Sequence, residues 1–149
     1  MPWSMLRTCP VCSAKNRVPP KHLAHTGRCG SCKSPFGPVS EPVEVDEAAF
    51  EAITQESPVP VLVDFWAAWC GPCRAAAPEV KALAHEMSGQ AVVLKVDTES
   101  VPSLADRFRV QSIPNFVVFR NGRVVFQQPG LVSRAQMRAW LEHAAAPVA

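Results

Sequence analysis

The sequence predicts an α/β domain, a mixed sheet covered by helices on both faces, preceded by a small cysteine-rich module. Two observations support this prediction. After residue 43, segments typical of strands and helices follow one another in the order βαβ, helix, β-hairpin, helix. Before residue 37, two Cys-x-x-Cys pairs lie in a segment too short to bury a sufficient core of its own. We therefore divide the 149-residue chain into a module at 1–36, a linker at 37–42 and a domain at 43–149.

The module has the cysteine spacing of a four-cysteine zinc ribbon. Its ligands would be two pairs separated by sixteen residues: Cys9 with Cys12, and Cys29 with Cys32. Each pair forms a tight turn that points two sulfurs at one centre, and two such turns complete a tetrahedron. We therefore expect one structural Zn²⁺ per chain and no organic cofactor, with unmetallated redox dithiols as the alternative. His22 and His25 are interpreted as loop residues, because four thiolates already satisfy the metal.

The linker and the first half of the domain follow from local signals. Pro, Ser and Gly dominate SPFGPVSEP (34–42), which predicts a turn-filled linker crossed by few contacts. A helix capped by Asp46 is predicted for DEAAFEAITQES (46–57). A buried strand is predicted for PVLVDFWA (60–67), a continuous apolar run with β-branched residues. A helix should follow from about Pro72 to Met87, and AVVLKVDT (91–98) should be the next strand.

The second half of the domain contains the hairpin. A shorter helix is predicted for VPSLADRF (101–108). The segments NFVVFR and RVVFQQ flank Asn121-Gly122, which is the strongest short hairpin signal. Ser133 and Gln136 form a capping box for a final helix, SRAQMRAWLEHAAA. The whole pattern predicts a mixed sheet with helices on both faces.

Charge and hydropathy limit the compartment and the partners. Residues 1–40 contain six Lys and Arg residues and no acid, whereas all thirteen acids lie in 41–149. No segment is apolar enough to span a membrane, and the N-terminus has no secretory h-region. We therefore expect a cytoplasmic protein with reduced thiols and not three structural disulfides. Nucleic-acid binding is not favoured, because the basic module offers only Trp3 and Phe36 for stacking.

Cys70 and Cys73 have no second pair to join, and they lie between an apolar strand and a helix. This context indicates a redox motif. A thiol at a helix N-terminus faces unpaired N–H groups, so its thiolate is stabilised and its pKa falls. The spacing places Cys73 one turn further along the same helix face, within disulfide reach. Cys70 can then attack an external disulfide, and Cys73 can resolve the mixed disulfide.

The segment VLVDFWAAWCGPC resembles the active-site segment of thioredoxins, and WCGPC matches the motif of that family without departure. The resemblance covers about residues 42–145 and includes SIPNFVVFRNG and QQPGLVS. With its zinc ribbon, the chain resembles the zinc-containing thioredoxin 2 subclass. The resemblance implies the thioredoxin fold, and an activity that reduces protein disulfides with electrons from thioredoxin reductase.

Two charged residues in predicted strands take catalytic roles under this resemblance. Asp64 interrupts an apolar strand, where burial should raise its pKa. The matching family residue is a buried acid that moves protons for the resolving thiol, here Cys73; a purely structural aspartate is the alternative. Lys95 matches a lysine that approaches the buried acid in thioredoxins. Its alternative role is that of a snorkelling lysine at the edge of the sheet.

The resemblance also implies a surface that binds substrate. Its expected members flank the dithiol or lie in the loop opposite: Trp69, Gly71, Pro72, Ile113, Pro114 and Gly130. Pro114 matches a cis-proline, and the backbone at Ile113 can pair with an extended client strand. Trp66 is assigned to core packing. Asn115 and Ser112 depart from the commoner threonine and glycine, which leaves the choice of substrate open but not the reaction.

Three functional hypotheses result. The first is a thiol–disulfide electron carrier, expected to be a monomer, whose partners are thioredoxin reductase and disulfide-containing clients. The second is a redox-responsive binding protein that releases zinc on oxidation, motivated by the basic module. The third is an oxidase or isomerase, which the Gly-Pro dipeptide between the two cysteines disfavours.

Overall fold

The computed structural model describes residues 3–146. The cysteine-rich module contains two small antiparallel hairpins joined by a 3-10 turn at Pro20–His22. Its strands are β1 (Met5–Thr8), β2 (Lys15–Val18), β3 (Gly27–Arg28) and β4 (Pro35–Phe36). Strand β2 pairs with β1 as an antiparallel hairpin.

The domain is a mixed sheet with four helices, as predicted, and its fifth strand, β5, is one that the sequence did not predict. Its elements are β5 (Val43–Glu44), α1 (Glu47–Glu56), β6 (Val61–Trp66), α2 (Gly71–Glu86), β7 (Val92–Asp97), α3 (Pro102–Arg107), β8 (Asn115–Arg120), β9 (Arg123–Pro129) and α4 (Arg134–Ala145). The strand order is β5-β7-β6-β8-β9. Strands β5, β6 and β7 are parallel, and β8 is antiparallel to both of its neighbours.

Local capping and turn signals determine where these elements begin. Asp46 caps α1, and its carboxylate accepts a hydrogen bond from the Ala49 amide. The capping box of α4 is confirmed, with Ser133 and Gln136 bonded reciprocally. The hairpin turn is also confirmed, because Asn121 and Gly122 both have positive φ. Helix α2 begins at Gly71, one residue before the predicted start.

The sheet separates two apolar layers, as the strand period requires. Alternate residues of β6 point to opposite faces: Val63 and Phe65 pack toward α1, and Leu62 packs toward α2 and α4. Asp64 and Trp66 share the face of Leu62. No helix within residues 3–146 is long and apolar enough to cross a membrane.

The module and the linker pack against the domain more closely than the composition of the linker predicts. Val39 is buried, and its N–H donates to the Leu23 carbonyl at 2.9 Å. Leu23 is fully buried and belongs to the same apolar cluster as Phe50 and Ile53 of α1. The expectation of few contacts across the linker is therefore wrong. Leu23 of the module and Val39 of the linker lie in polar segments, but both complete one apolar core with α1. The boundaries 1–36, 37–42 and 43–149 remain a prediction.

Candidate functional site

Cys70 and Cys73 form a disulfide at the start of α2. Cys70 is the N-cap residue, and its Sγ lies 3.2 Å from the Cys73 amide nitrogen. Pro72 occupies the first turn, where the N–H that it lacks would have no helical partner. Both sulfur-bearing residues are buried, against Ala67, Trp66 and Ile113. A Cys70 thiolate here faces the partial positive charge of the helix N-terminus.

The loop before β8 faces the disulfide. The Ile113–Pro114 peptide is cis, as the resemblance implied. The carbonyl oxygen of Ile113 lies 3.6 Å from the Sγ of Cys70. The Gly130 N–H donates to the Pro114 carbonyl at 2.8 Å, and Gly130 has a φ of 90°, which favours glycine. Three of the predicted substrate-binding residues therefore lie in one contact network beside Cys70.

The surface around the disulfide exposes one large aromatic side chain. Trp69 is 66% exposed, and its indole N–H donates to Glu99 at 2.9 Å. It shares a shallow pocket with Ile113 and Ser112. Gly71 is exposed, with open space where a side chain would be. The sequence did not identify Glu99, because its partner Trp69 lies thirty positions away and no local pattern links the two.

Asp64 is buried in the middle of β6 with 2% of its surface exposed. Its Oδ1 has no hydrogen-bond partner in the described part of the chain. Burial raises the pKa of Asp64 from 3.8 to about 7, against an opposing effect from Lys95 and with a smaller contribution from Glu44. The structure therefore bears out the expectation of a buried carboxyl with a raised pKa. A group with such a pKa can accept or release a proton near neutral pH.

Lys95 is the register partner of Asp64 in the β6–β7 pair, yet its ammonium group forms no ion pair with the Asp64 carboxyl within residues 3–146. The Lys95 Nζ is 4.5 Å from the centroid of the Trp66 ring. The Trp66 indole N–H donates in turn to Glu44 of β5 at 3.2 Å. Trp66 thus has a polar role that the assignment to core packing missed, because Glu44 comes from a strand that the sequence did not predict.

The four cysteines of the module converge on one point. The four Sγ atoms all lie within 4.8 Å of one another. Cys9 and Cys32 are 3.6 Å apart, and Cys12 and Cys29 are 3.5 Å apart. Four sulfurs at about 2.3 Å from one zinc ion would be separated by about 3.8 Å in a tetrahedron. The arrangement therefore fits a Zn²⁺ site with four thiolate ligands, and His22 and His25 contact each other instead.

Each Cys-x-x-Cys pair lies in a turn of the same form. The residues that follow the pairs, Ser13 and Lys33, both have a φ of 66°. Each donates its backbone N–H to the carbonyl oxygen of the first cysteine of its pair, at 3.0 Å. Asn16, which the sequence did not single out, links the turns: its side chain contacts the Cys29 Sγ and accepts from the Gly30 N–H at 2.9 Å.

The amide donors around Cys29 favour its charged form. The backbone N–H of Cys32, the Asn16 amide and the Ser31 N–H lower the pKa of the Cys29 thiol to about 6. Zinc binds thiolates rather than thiols. These donors therefore favour the form of Cys29 that zinc binds.

Family models match both parts of the chain. A family model described as Thioredoxin matches residues 41–143, more than half of the chain. The chain belongs to the thioredoxin family. A second model, described as Thioredoxin 2, N-terminal, matches residues 8–34. This thioredoxin is therefore of the zinc-ribbon subclass, as the resemblance implied, and it is a thiol–disulfide oxidoreductase that reduces protein disulfides.

Individual relatives cover different parts of this thioredoxin. Thioredoxin C-3 of Corynebacterium nephridii is 38% identical over 93% of this chain and 94% of its own length. Thioredoxin 1 of Synechococcus elongatus is 42% identical over 66% of this chain and 92% of its own. A mutant thioredoxin from Halobacterium salinarum superposes with a TM-score of 0.69 at 30% identity, covering 74% of this chain and 96% of that one. The first relative therefore spans the ribbon as well as the domain.

Proposed function

We propose that Cys70 and Cys73 reduce disulfides in client proteins and that thioredoxin reductase returns the pair to the dithiol. The proposal rests chiefly on one observation. The Cys70–Cys73 disulfide lies at the N-terminus of α2, with the backbone of Ile113 directly opposite Cys70. A nucleophile stabilised by a helix terminus therefore faces a backbone segment with which a client strand can pair.

The reaction proceeds in two exchanges of thiol and disulfide. The Cys70 thiolate attacks one sulfur of the client disulfide, forming a mixed disulfide and releasing a client thiolate. Asp64 accepts the proton of the Cys73 thiol, and the Cys73 thiolate then attacks Cys70. The second client thiolate leaves, and the Cys70–Cys73 disulfide is formed. Two electrons pass from the protein to the client, and the two client thiolates take up protons.

The client binds in an extended form across the disulfide in this proposal. Its backbone pairs with the backbone of Ile113, next to Pro114. Exposed Trp69 and the open surface at Gly71 and Pro72 contact the residues beside the client disulfide. Gly130 supports this loop through its bond to the Pro114 carbonyl.

The ribbon holds one structural Zn²⁺ in the same proposal. Cys9, Cys12, Cys29 and Cys32 supply four thiolates, which complete a tetrahedral site and leave no open position for a substrate. The metal therefore contributes folding free energy to the ribbon and takes no part in the dithiol reaction.

An NADPH-coupled assay of insulin reduction tests the proposed function. With thioredoxin reductase present, we expect insulin-dependent NADPH oxidation by the full chain. Omission of either the reductase or this protein should abolish the signal. NADPH oxidation that does not depend on insulin would contradict a client-reducing role. Reduction of insulin by dithiothreitol but not by the reductase would contradict the proposed partner.

The proton-relay role predicts a pH-dependent effect of Asp64→Asn. Well below pH 3.8 the carboxyl is protonated in both states, so parent and variant should have similar stability. As pH rises from about 4 to about 7, the unfolded chain loses this proton before the folded chain does, so the parent loses stability. Above about pH 7, the free energy of unfolding of oxidised Asp64→Asn should exceed that of the parent by on the order of 4 kcal/mol.

Denaturant unfolding of the oxidised proteins at several pH values measures this difference. Insulin reduction by Asp64→Asn should also be slowest relative to the parent near neutral pH, because Cys73 loses its proton acceptor. Parallel pH–stability profiles for parent and variant would show that Asp64 titrates as an exposed carboxylate.

A further inference from the structure

Three charged residues form a row across three adjacent parallel strands. Glu44 of β5 is the register partner of Lys95 of β7, and Lys95 is the register partner of Asp64 of β6. Residues that are register partners in neighbouring strands project from the same face of the sheet. Lys95 therefore has a carboxylate on each side. Asp64 is buried, whereas Glu44 lies at the exposed edge.

Trp66 connects the exposed half of this row. Its indole N–H donates to the Glu44 carboxylate at 3.2 Å, and its ring lies 4.5 Å from the Lys95 Nζ. Within residues 3–146 no ion pair joins Lys95 to Asp64 or to Glu44, and the Asp64 Oδ1 has no hydrogen-bond partner. The Lys95 ammonium group thus lies over the Trp66 ring, which Glu44 anchors at its indole N–H, and Asp64 has no ion-pair partner among these residues.

The charged groups around these carboxylates are few. Lys95 of β7 and Glu44 of β5 are the charges that act on Asp64. Lys95 and Asp97, both of β7, act on Glu44. The register partner of Asp64 in β8 is Phe116, and Cys73, which does not titrate in the disulfide form, is the titratable member of the buried residues of α2. Glu44 is therefore the one acidic group among these that adds negative potential at Asp64.

We infer that Glu44 is a positioning residue for the dithiol reaction. By accepting the Trp66 indole N–H, Glu44 keeps the ring, and Lys95 above it, at the edge of the sheet. The buried Asp64 is then left without an ion-pair partner. This inference rests on the proposed proton-relay role of Asp64. The Glu44 charge acts in two ways with the same sign. It repels the negative charge of an ionised Asp64, and it competes for the Lys95 ammonium group.

Glu44→Gln tests the inference with little change of shape. The amide oxygen of glutamine can still accept the Trp66 indole N–H, so only the charge is removed. The titration midpoint of Asp64 is measured from its side-chain carboxyl carbon by NMR in the oxidised protein, in which neither Cys70 nor Cys73 titrates. We expect the midpoint to fall by roughly half a pH unit in Glu44→Gln. The acid limb of the pH profile of insulin reduction should shift in the same direction.

Glu56→Gln is the matched control, because it removes the same charge from an exposed position at the end of α1. Its Asp64 midpoint should equal that of the parent. If the Asp64 midpoint is unchanged in Glu44→Gln while Asp64→Asn still reduces insulin slowly, the role of Glu44 is overturned and the proton relay is not. A lowered midpoint with fully active Asp64→Asn would instead overturn the proposed relay, and with it any role of Glu44 in the reaction.

Discussion

Cys70→Ser is expected to abolish disulfide reduction. A serine hydroxyl is not ionised near neutral pH, and no other thiolate lies at the N-terminus of α2 to replace it. Cys73 lies one turn inside the helix and not at its N-cap, so we expect it to resolve a mixed disulfide but not to form one with an external client. Insulin turnover in the reductase-coupled assay should therefore fall to the rate without this protein.

Cys73→Ser is the paired variant, and it should behave differently. Cys70 still attacks the client, but the mixed disulfide is not resolved, so a covalent complex accumulates. Non-reducing electrophoresis and intact-mass measurement should detect one client chain per protein, released by dithiothreitol. Turnover by Cys73→Ser close to the parent rate would contradict the two-cysteine mechanism. Trapping by Cys70→Ser instead would reverse the order of the two thiols.

Loss of the metal is expected to have the largest effect on stability. Cys9→Ser removes a buried ligand, so metal analysis should change from one zinc per chain to almost none. Structural zinc contributes on the order of 10–16 kcal/mol in small zinc-finger modules, so the ribbon should unfold. Because Leu23 and Val39 belong to the apolar cluster of α1, the thermal transition of the domain should also fall.

Leu23→Ala separates metal binding from packing in the ribbon. The four cysteines are unchanged, so zinc should remain at one per chain, but a buried leucine is lost at a typical cost of about 2–5 kcal/mol. Both variants should still reduce insulin below their unfolding temperatures, because Cys70, Cys73 and Asp64 all lie in the domain. If Cys9→Ser kept its zinc but lost dithiol turnover, Cys70 and Cys73 would have to be counted among the metal ligands.

Local sequence signals were sufficient for the four helices, for strands β6 to β9 and for the two cysteine sites. Asp46, Ser133 with Gln136, and Asn121-Gly122 have their expected capping and turn geometries. Such signals are reliable because a cap or a tight turn depends on residues within four positions of one another. For the same reason, the spacing of two residues within each cysteine pair predicted the turns of the zinc site and the position of Cys70.

The sequence by itself determined the α/β order, the four thiolates that converge in the ribbon, the dithiol at a helix terminus, and a carboxyl buried in a strand. Only the tertiary structure decided which distant residues meet there. Glu44 and Trp66 are twenty-two positions apart, Trp69 and Glu99 thirty, and Leu23 reaches α1 across the linker. Strand register and shared cores bring such residues together, and both depend on the packing of the whole chain rather than on any local pattern.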